Sequence, residues 1–445
     1  MQKRNALVCL LVLCCLLSSY DLAVGLDNMW DLEAVNEIGF GIHPKVNADY
    51  NNPGNKVIVE GVVIGDSQEI LDPNNAYTIF IQDENSDRGG IQAWAGSWFY
   101  GPSMWAMLRS TDYINCQAGD RVRITGFLAD AGRGKAVINH RHSNDPALVF
   151  TVEVIGHSGI PDPMLIPSVS DCNYFDQTRA GGGERYQTRF VMLHGVDIVS
   201  GAWANNSLTT IADSTGSVGM LLSAMGDFNS NPQPSGKLNV VGIFDQEDTV
   251  SPYTEGYRVW VKRSSDVASA VDACREVGAF DAGKRVGLIG KVVSRVYNGF
   301  LYVQDQTRAG GVRINTYRTF APGSLLCVQG EVTELGDEKA INANYLYQQG
   351  STTVRPVGVT SRTLWAENGL DVRGLLIRCF ARVGEYLGDG IYSMTDDAGR
   401  TIYLISNGVT LPQQGTPVAV TAVASVENDV PVLLLAGAED VTVLQ

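Results

Sequence analysis

The groups in this chain best suited to hold a ligand are aromatic residues that recur beside glutamine and arginine. In Tyr77-Thr-Ile-Phe-Ile-Gln-Asp83 and Phe300-Leu-Tyr-Val-Gln-Asp305 the residues alternate as strands do, with successive side chains on opposite faces. Leu301 and Val303 then face a core, and Phe300, Tyr302 and Gln304 face away from it. The matching outward set in the first segment is Thr78, Phe80 and Gln82. Arg88, Arg308, Arg313 and Arg318 lie close by in sequence. Flat aromatic faces flanked by guanidinium groups stack nucleobases or sugars. The competing use is packing against a neighbouring barrel or a crossing loop. The candidate ligand-binding residues are Phe80, Gln82, Arg88, Phe300, Tyr302, Gln304 and Arg313. Two further segments carry Thr210 and Ala212, or Ser393 and Thr395, at the matching places, and these make poor platforms.

Catalysis and metal binding find little footing. His140-Arg-His142 is the one close histidine pair, and no third ligand stands near it. Asp83-Glu-Asn85-Ser-Asp87-Arg-Gly89 places oxygen ligands at alternate positions, as calcium loops do. Its glycine comes one place late and no closing glutamate follows, so a solvated turn is expected. The acidic run Asp245-Gln-Glu247-Asp248 is also read as solvent-facing. There is no G-x-S-x-G, H-E-x-x-H or phosphate-binding glycine loop. We expect no catalytic residues, no metal and no cofactor. Asn205-Asn-Ser207 fits the N-glycosylation pattern, which matters only in a eukaryotic secretory route.

The elements that must position these residues follow a leader. Lys3 and Arg4, an apolar run from Ala6 to Leu17, and Ala23-Val-Gly25 have the three-part layout of a secretory signal peptide over residues 1–25. The apolar run is shorter than the roughly 20 residues of a membrane helix. No later run is long enough to span, so export to an extracellular or periplasmic space is expected, with no stable membrane span after signal removal. The formal net charge of the 445 residues is −15, a field that opposes polyanions. Beyond the leader the cysteines are Cys116, Cys172, Cys274, Cys327 and Cys379, widely spaced and odd in number. Buried thiols are the expectation, with a single Cys172–Cys274 bridge as the alternative.

The chain repeats itself at domain scale. Four first strands read Val57-Ile-Val-Glu-Gly61-Val-Val-Ile64, Val191-Met-Leu-His-Gly195-Val-Asp-Ile198, Val286-Gly-Leu-Ile-Gly290-Lys-Val-Val293 and Leu375-Leu-Ile-Arg-Cys379-Phe-Ala-Arg382. A glycine inside a strand marks a sharp bend or a close backbone approach. Each first strand leads to a second that ends on Asp83, Asp213, Asp305 or Asp396, then to a turn carrying glycine. The aspartate is expected to cap that turn, and the glycine to supply its positive φ. The insert from Ala95 to Asn115, rich in aromatic residues, is expected to plug the end of the first unit. The peptide Asp-Gln-Thr-Arg-Ala-Gly-Gly occurs at 176–182 and 305–311, which reads as shared loop composition.

A strand with a central glycine, an aromatic hairpin ending Gln-Asp and a following Gly-Gly-hydrophobe resembles the tandem OB-fold barrels of secreted bacterial proteins, the YhcR-type and tRNA-anti-like barrels. The likeness is clear in units one and three, weaker in two and weakest in four. It implies an all-β chain of four tandem five-stranded OB-like Greek-key barrels with short helical linkers: 26–160, 161–270, 271–356 and a divergent 357–445. The stretch from Asp266 to Glu276, with alanine and valine at helical spacing, is one such linker. The implied function is a non-catalytic binding or scaffold role toward an unknown extracellular macromolecule: protein, glycan or nucleic acid. Single-stranded nucleic-acid binding by barrels one and three, and a structural or adhesive surface array, are the alternatives.

Overall fold

The structure, a computed structural model, describes residues 25–71, 76–85, 88–96, 108, 111–130, 132–139, 148–336, 338–364, 371–427 and 430–445. Most of the signal segment, His140 and His142, part of the 83–89 turn and most of the 95–115 insert lie outside these residues. Two compact units divide the chain, one formed by Met1–Pro161, Tyr174–Arg189 and Phe244–Tyr257, the other by Asp162–Asn173, Phe190–Ile243 and Arg258–Gln445.

In the first unit β1 (Lys56–Gly65), β2 (Ala76–Gln82), β3 (Gly90–Gly96), β4 (Asp120–Asp130) and β5 (Ala136–Ile138) close a barrel in the order β1-β2-β3-β5-β4, with β4 returning to β1. The β3–β5 pair is parallel and the others are antiparallel. That is the Greek-key order of an OB barrel. β6 (Thr151–His157) adds to the outer edge of β4. Two one-turn helices, α1 (Met29–Leu32) and α2 (Ser67–Ile70), begin where Asn28 and Asp66 accept amides of the first turn. The core holds Val57, Val59, Ile79, Ile81, Val122 and Ile124, alternate residues of their strands. Leu108 and Tyr113 of the insert join it, as a barrel plug should. The short α3 (Gly182–Tyr186) belongs to this unit as well.

The second unit begins with β7 (Met164–Ile166), β8 (Phe190–Ser200), β9 (Leu208–Ala212), β10 (Ser217–Leu222), β11 (Leu238–Gln246), β12 (Tyr257–Val261) and β13 (Val267–Ala270), except that the end of β11 from Phe244 and the first residue of β12, Tyr257, belong to the first unit. Here β8 pairs with β9 and β11, β9 with β10, and β10 in parallel with β12. Next come β14 (Arg285–Tyr297), β15 (Phe300–Gln304), β16 (Gly311–Asn315), β17 (Ser324–Leu335) and β18 (Glu338–Ser351), closed as β14-β15-β16-β18-β17. After β19 (Val357–Gly358) and α4 (Ser361–Leu364), the strands β20 (Leu376–Gly388), β21 (Ile391–Thr395), β22 (Thr401–Ile405), β23 (Pro417–Glu427) and β24 (Val430–Leu434) close in the same order, and β25 (Val441–Val443) adds to β23. The chain is therefore all-β, and its described residues form three closed five-stranded barrels.

The linker before the third barrel is not the helix that residue spacing suggests. Asp266 to Glu276 forms strand β13 and then a 3-10 turn, Cys274–Ala279. β13 pairs with β11 on one side and with β14 on the other, so one hydrogen-bonded sheet runs through the second and third repeats. Unpaired strand edges on both flanks outweigh the weak helical preference of Val267-Ala-Ser-Ala270. The other two linkers follow the same rule: β7 and β19 each add in parallel to the first strand of the repeat that follows.

The recurring first-strand glycine serves two needs. Gly195 and Gly290 have φ of 77° and 64° and sit at bulges in the pairing with β11 and β17, a conformation that favours glycine. At Gly61 a Cβ would meet the Gln82 carbonyl at 2.8 Å. Through Cys379 the β20–β23 ladder is unbroken, and the thiol packs in the core. No bend is needed there, so no glycine is.

Candidate functional site

The outward face of β15 lies in the second unit, and the next barrel covers it. Leu301 and Val303 join their own core, as alternation requires. Tyr302 is fully buried in a different cluster, with Leu376, Val423, Val432 and Leu434 of the last barrel. Its hydroxyl donates to Glu338 at 2.7 Å and lies 3.2 Å from the Ser425 hydroxyl. Burial raises the Glu338 carboxyl above its ordinary value, against the Tyr302 and Ser425 bonds and the nearby Arg313 and Arg373 charges. Gln304 is buried and accepts the Leu376 amide at 3.0 Å. Phe300 is half-buried, stacked on Tyr297 at 4.8 Å between centroids, with the Arg313 guanidinium 3.7 Å above its ring. The Tyr297 hydroxyl donates to the Leu434 carbonyl at 3.0 Å, and Arg295 pairs with buried Asp440 at 2.6 Å. The aromatic groups are thus brought together, but as a joint between two barrels.

The corresponding face of the first barrel is closed too. Phe80 is fully buried yet stands outside its barrel's core cluster, and Gln82 is buried beside it in the strand. Thr78 is bonded to Gln92 and the Ala93 carbonyl. A Cβ on Gly90 would run into the Thr188 carbonyl, so the 174–189 segment lies against this strand end. Of the seven candidates, Arg88 alone is exposed.

The aspartates that end each second strand divide by role. Asp83, Asp213 and Asp396 accept turn amides at 2.8, 2.7 and 2.9 Å, as expected of caps. Asp305 instead turns inward to Lys291 at 2.7 Å and to the Cys274 amide at 3.2 Å. The positive φ in that turn belongs to Arg308, at 62°. Its twin Arg179, in the other copy of Asp-Gln-Thr-Arg-Ala-Gly-Gly, has φ of 58°, and each arginine amide bonds back to its aspartate carbonyl. The two copies form the same turn. Each arginine also donates to a backbone carbonyl of a distant segment, Arg179 to Trp30 and Arg308 to Pro356.

Sequence reasoning missed a buried polar cluster in the first unit. Lys135 and Asp245 form an ion pair with almost no exposure. Asp245 and Gln246 are fully buried, which corrects the solvent-facing reading of that acidic run. Glu33 accepts the Ala136 amide with one oxygen, and its other oxygen is buried without a partner. Glu184 accepts the Tyr257 hydroxyl at 2.8 Å. Burial pushes Glu184 up to about 7, and Glu33 well above the usual carboxylate range. The available signal was position: Lys135 abuts the apolar run Ala136-Val-Ile138, and Asp245 ends one.

A cleft of about 480 Å³ opens in the second unit beside Gly310–Gly311, lined by Arg275, Lys339, Arg373, Glu338 and Asp371. Arg373 forks onto Asp371, and Lys339 pairs with Glu334. The Arg275 guanidinium has no side-chain partner among the described residues. The mixed charges suit a small polar ligand no better than solvent. All five described cysteines are free and buried, so Cys172 and Cys274 form no bridge. Among the described residues no cluster of histidine, cysteine, aspartate or glutamate is arranged to hold a metal. No helix among them is long and apolar enough to cross a membrane.

No family model matches the chain, and no curated protein matches it. Solved structures with partial likeness include the hypothetical protein ygiW from E. coli, at 17% identity over 18% of this chain and 88% of that one, TM-score 0.16. The tetrameric p202 HIN2 is 12% identical over 37% and 94%, TM-score 0.22. The Ifi202 HINa domain in complex with 20bp dsDNA is 10% identical over 37% and 96%, TM-score 0.21. At these scores the matches carry no argument about function.

Proposed function

We propose that the chain is an exported, non-catalytic scaffold of tandem OB-type barrels. The observation that carries this reading is the burial of Tyr302 and Gln304 under the last barrel. In an OB barrel that acts alone, this strand face is the stacking platform. Here its aromatic and amide groups bond and pack against Leu376, Val423 and Ser425. A face used this way fixes the spacing of barrels and leaves other surfaces for partners. The N-terminal layout of Lys3, Arg4 and the Ala6–Leu17 run supports export.

Single-stranded nucleic-acid binding by the first and third barrels is the competing reading. It needs Phe80 and Tyr302 to reach a base, and both are fully buried. The −15 net charge also opposes it. The test is a fluorescence titration of the full chain with labelled oligonucleotides at low salt. The scaffold reading predicts no saturable binding. Binding that weakens steeply with salt and is lost in Arg88→Ala or Arg313→Ala would replace it.

A further inference from the structure

The strands β13 and β25 are one device in two settings, the first with its outer edge occupied and the second with no strand on that edge among the described residues. Each follows a 3-10 turn that ends on a buried aspartate, Asp266 or Asp440. Asp266 accepts the Arg263 amide at 3.0 Å and the Tyr345 hydroxyl at 2.9 Å. Asp440 accepts the Ala436 amide at 2.8 Å and the Arg295 guanidinium at 2.6 Å. The strands then add antiparallel to equivalent partners in the same register. Val267 and Ser269 face Val240 and Leu238, as Val441 and Val443 face Val420 and Val418. The next amide closes the ladder alike, Ala270 to the Lys237 carbonyl and Leu444 to the Pro417 carbonyl, both at 2.9 Å.

The outer edges differ. On β13 the leading strand of the next barrel, β14, adds in parallel at Ser269↔Val286 and Ala270↔Gly287, and the Val271 amide donates to Gly287. On β25 no strand adds among the described residues. Amides alternate in direction along an antiparallel ladder, and that of Leu444 points inward. Those of Val443 and Gln445 therefore point to the open edge. Edge strands are commonly blunted by charge or proline. β6, also an edge strand, carries Glu153 and His157. β25 reads Val-Thr-Val, β-branched and uncharged, with Val443 more than half exposed.

We propose that the edge of β25 is a strand-docking site that takes up, in parallel, the leading strand of another OB-type barrel. Main-chain bonds would supply the affinity and alternate side chains the selectivity. The occupant is argued from β14, which fills the equivalent edge within this chain. The site is separate from the 480 Å³ cleft and does not depend on what that cleft binds.

The test uses the full chain and a fluorescein-labelled peptide of residues 282–290, Ala-Gly-Lys-Arg-Val-Gly-Leu-Ile-Gly, read by anisotropy against a scrambled control. Saturable binding of this peptide alone is expected. Val443→Pro, which removes the outward amide, is expected to weaken it at least tenfold, while Val443→Thr retains it. If the proline variant fails to fold, Val443→Lys takes its place. No saturation up to millimolar chain, or equal binding by the proline variant, overturns the proposal. Self-association of the chain that Val443→Pro abolishes, without peptide binding, overturns it in favour of a second copy at this edge.

Discussion

Raising the pH from 5 to 8 should destabilise the first unit, because Glu184 is buried as a protonated acid. Burial pushes its carboxyl from 4.5 to about 7, with the Tyr257 hydroxyl and Arg179 only partly opposing. The folded state then holds a proton that the unfolded chain has released. Stability from this source is full below pH 4.5, falls as pH rises, and is gone above about 7. At about 1.4 kcal/mol per pH unit between the two values, the whole effect is roughly 3 kcal/mol. Glu33, raised by the same burial and by the Glu184 charge, adds to the trend. The assay is urea unfolding at pH 5, 6, 7 and 8, following hydrogen exchange of peptides from residues 174–189 by mass spectrometry as the probe of this unit. Glu184→Gln keeps an acceptor for Tyr257 and cannot ionise, so its stability should change less across the range by about that amount. A wild-type transition that is flat or rises toward pH 8, with no difference in the variant, refutes the reasoning.

Lys135→Met removes the cation beside the buried Asp245 carboxylate and should cost about 3–5 kcal/mol, most of it restored in the double variant with Asp245→Leu, as thermal melts would show. Burial pushes the thiols of Cys116, Cys172, Cys327 and Cys379 up to about 12 and raises that of Cys274 well above its ordinary value. None of these five should label with a thiol reagent at pH 8 without denaturant, when sites are mapped by mass spectrometry. Rapid labelling of any one of them contradicts its placement.

The repeats and the strand order were legible because alternation with a period of two survives where one face meets a core, as at Leu301 and Val303. The turn caps were legible at Asp83, Asp213 and Asp396, where a carboxylate meets local amides. What sequence could not supply is what covers the other face. Phe300 and Tyr302 look alike in a strand pattern, yet one is half-buried and the other sealed by residues more than 70 positions away. Asp245 reads as one of a solvated acidic run, and only the fold brings Lys135, 110 residues distant, to meet it. β13 reads as helical because four residues with small side chains carry little local preference, and two open strand edges decided the outcome.

The central claim is that the platform strand of the third barrel is sealed by the last barrel and is not available to a ligand. Acetylation of tyrosines by N-acetylimidazole in the native full chain, mapped by mass spectrometry, tests it most directly, with Tyr317 at 92% exposure as the internal reference. Tyr317 should be modified readily, and Tyr302 should stay protected until denaturant is added. Modification of Tyr302 at a rate close to that of Tyr317 would mean the face is open, and the scaffold account would fall with it.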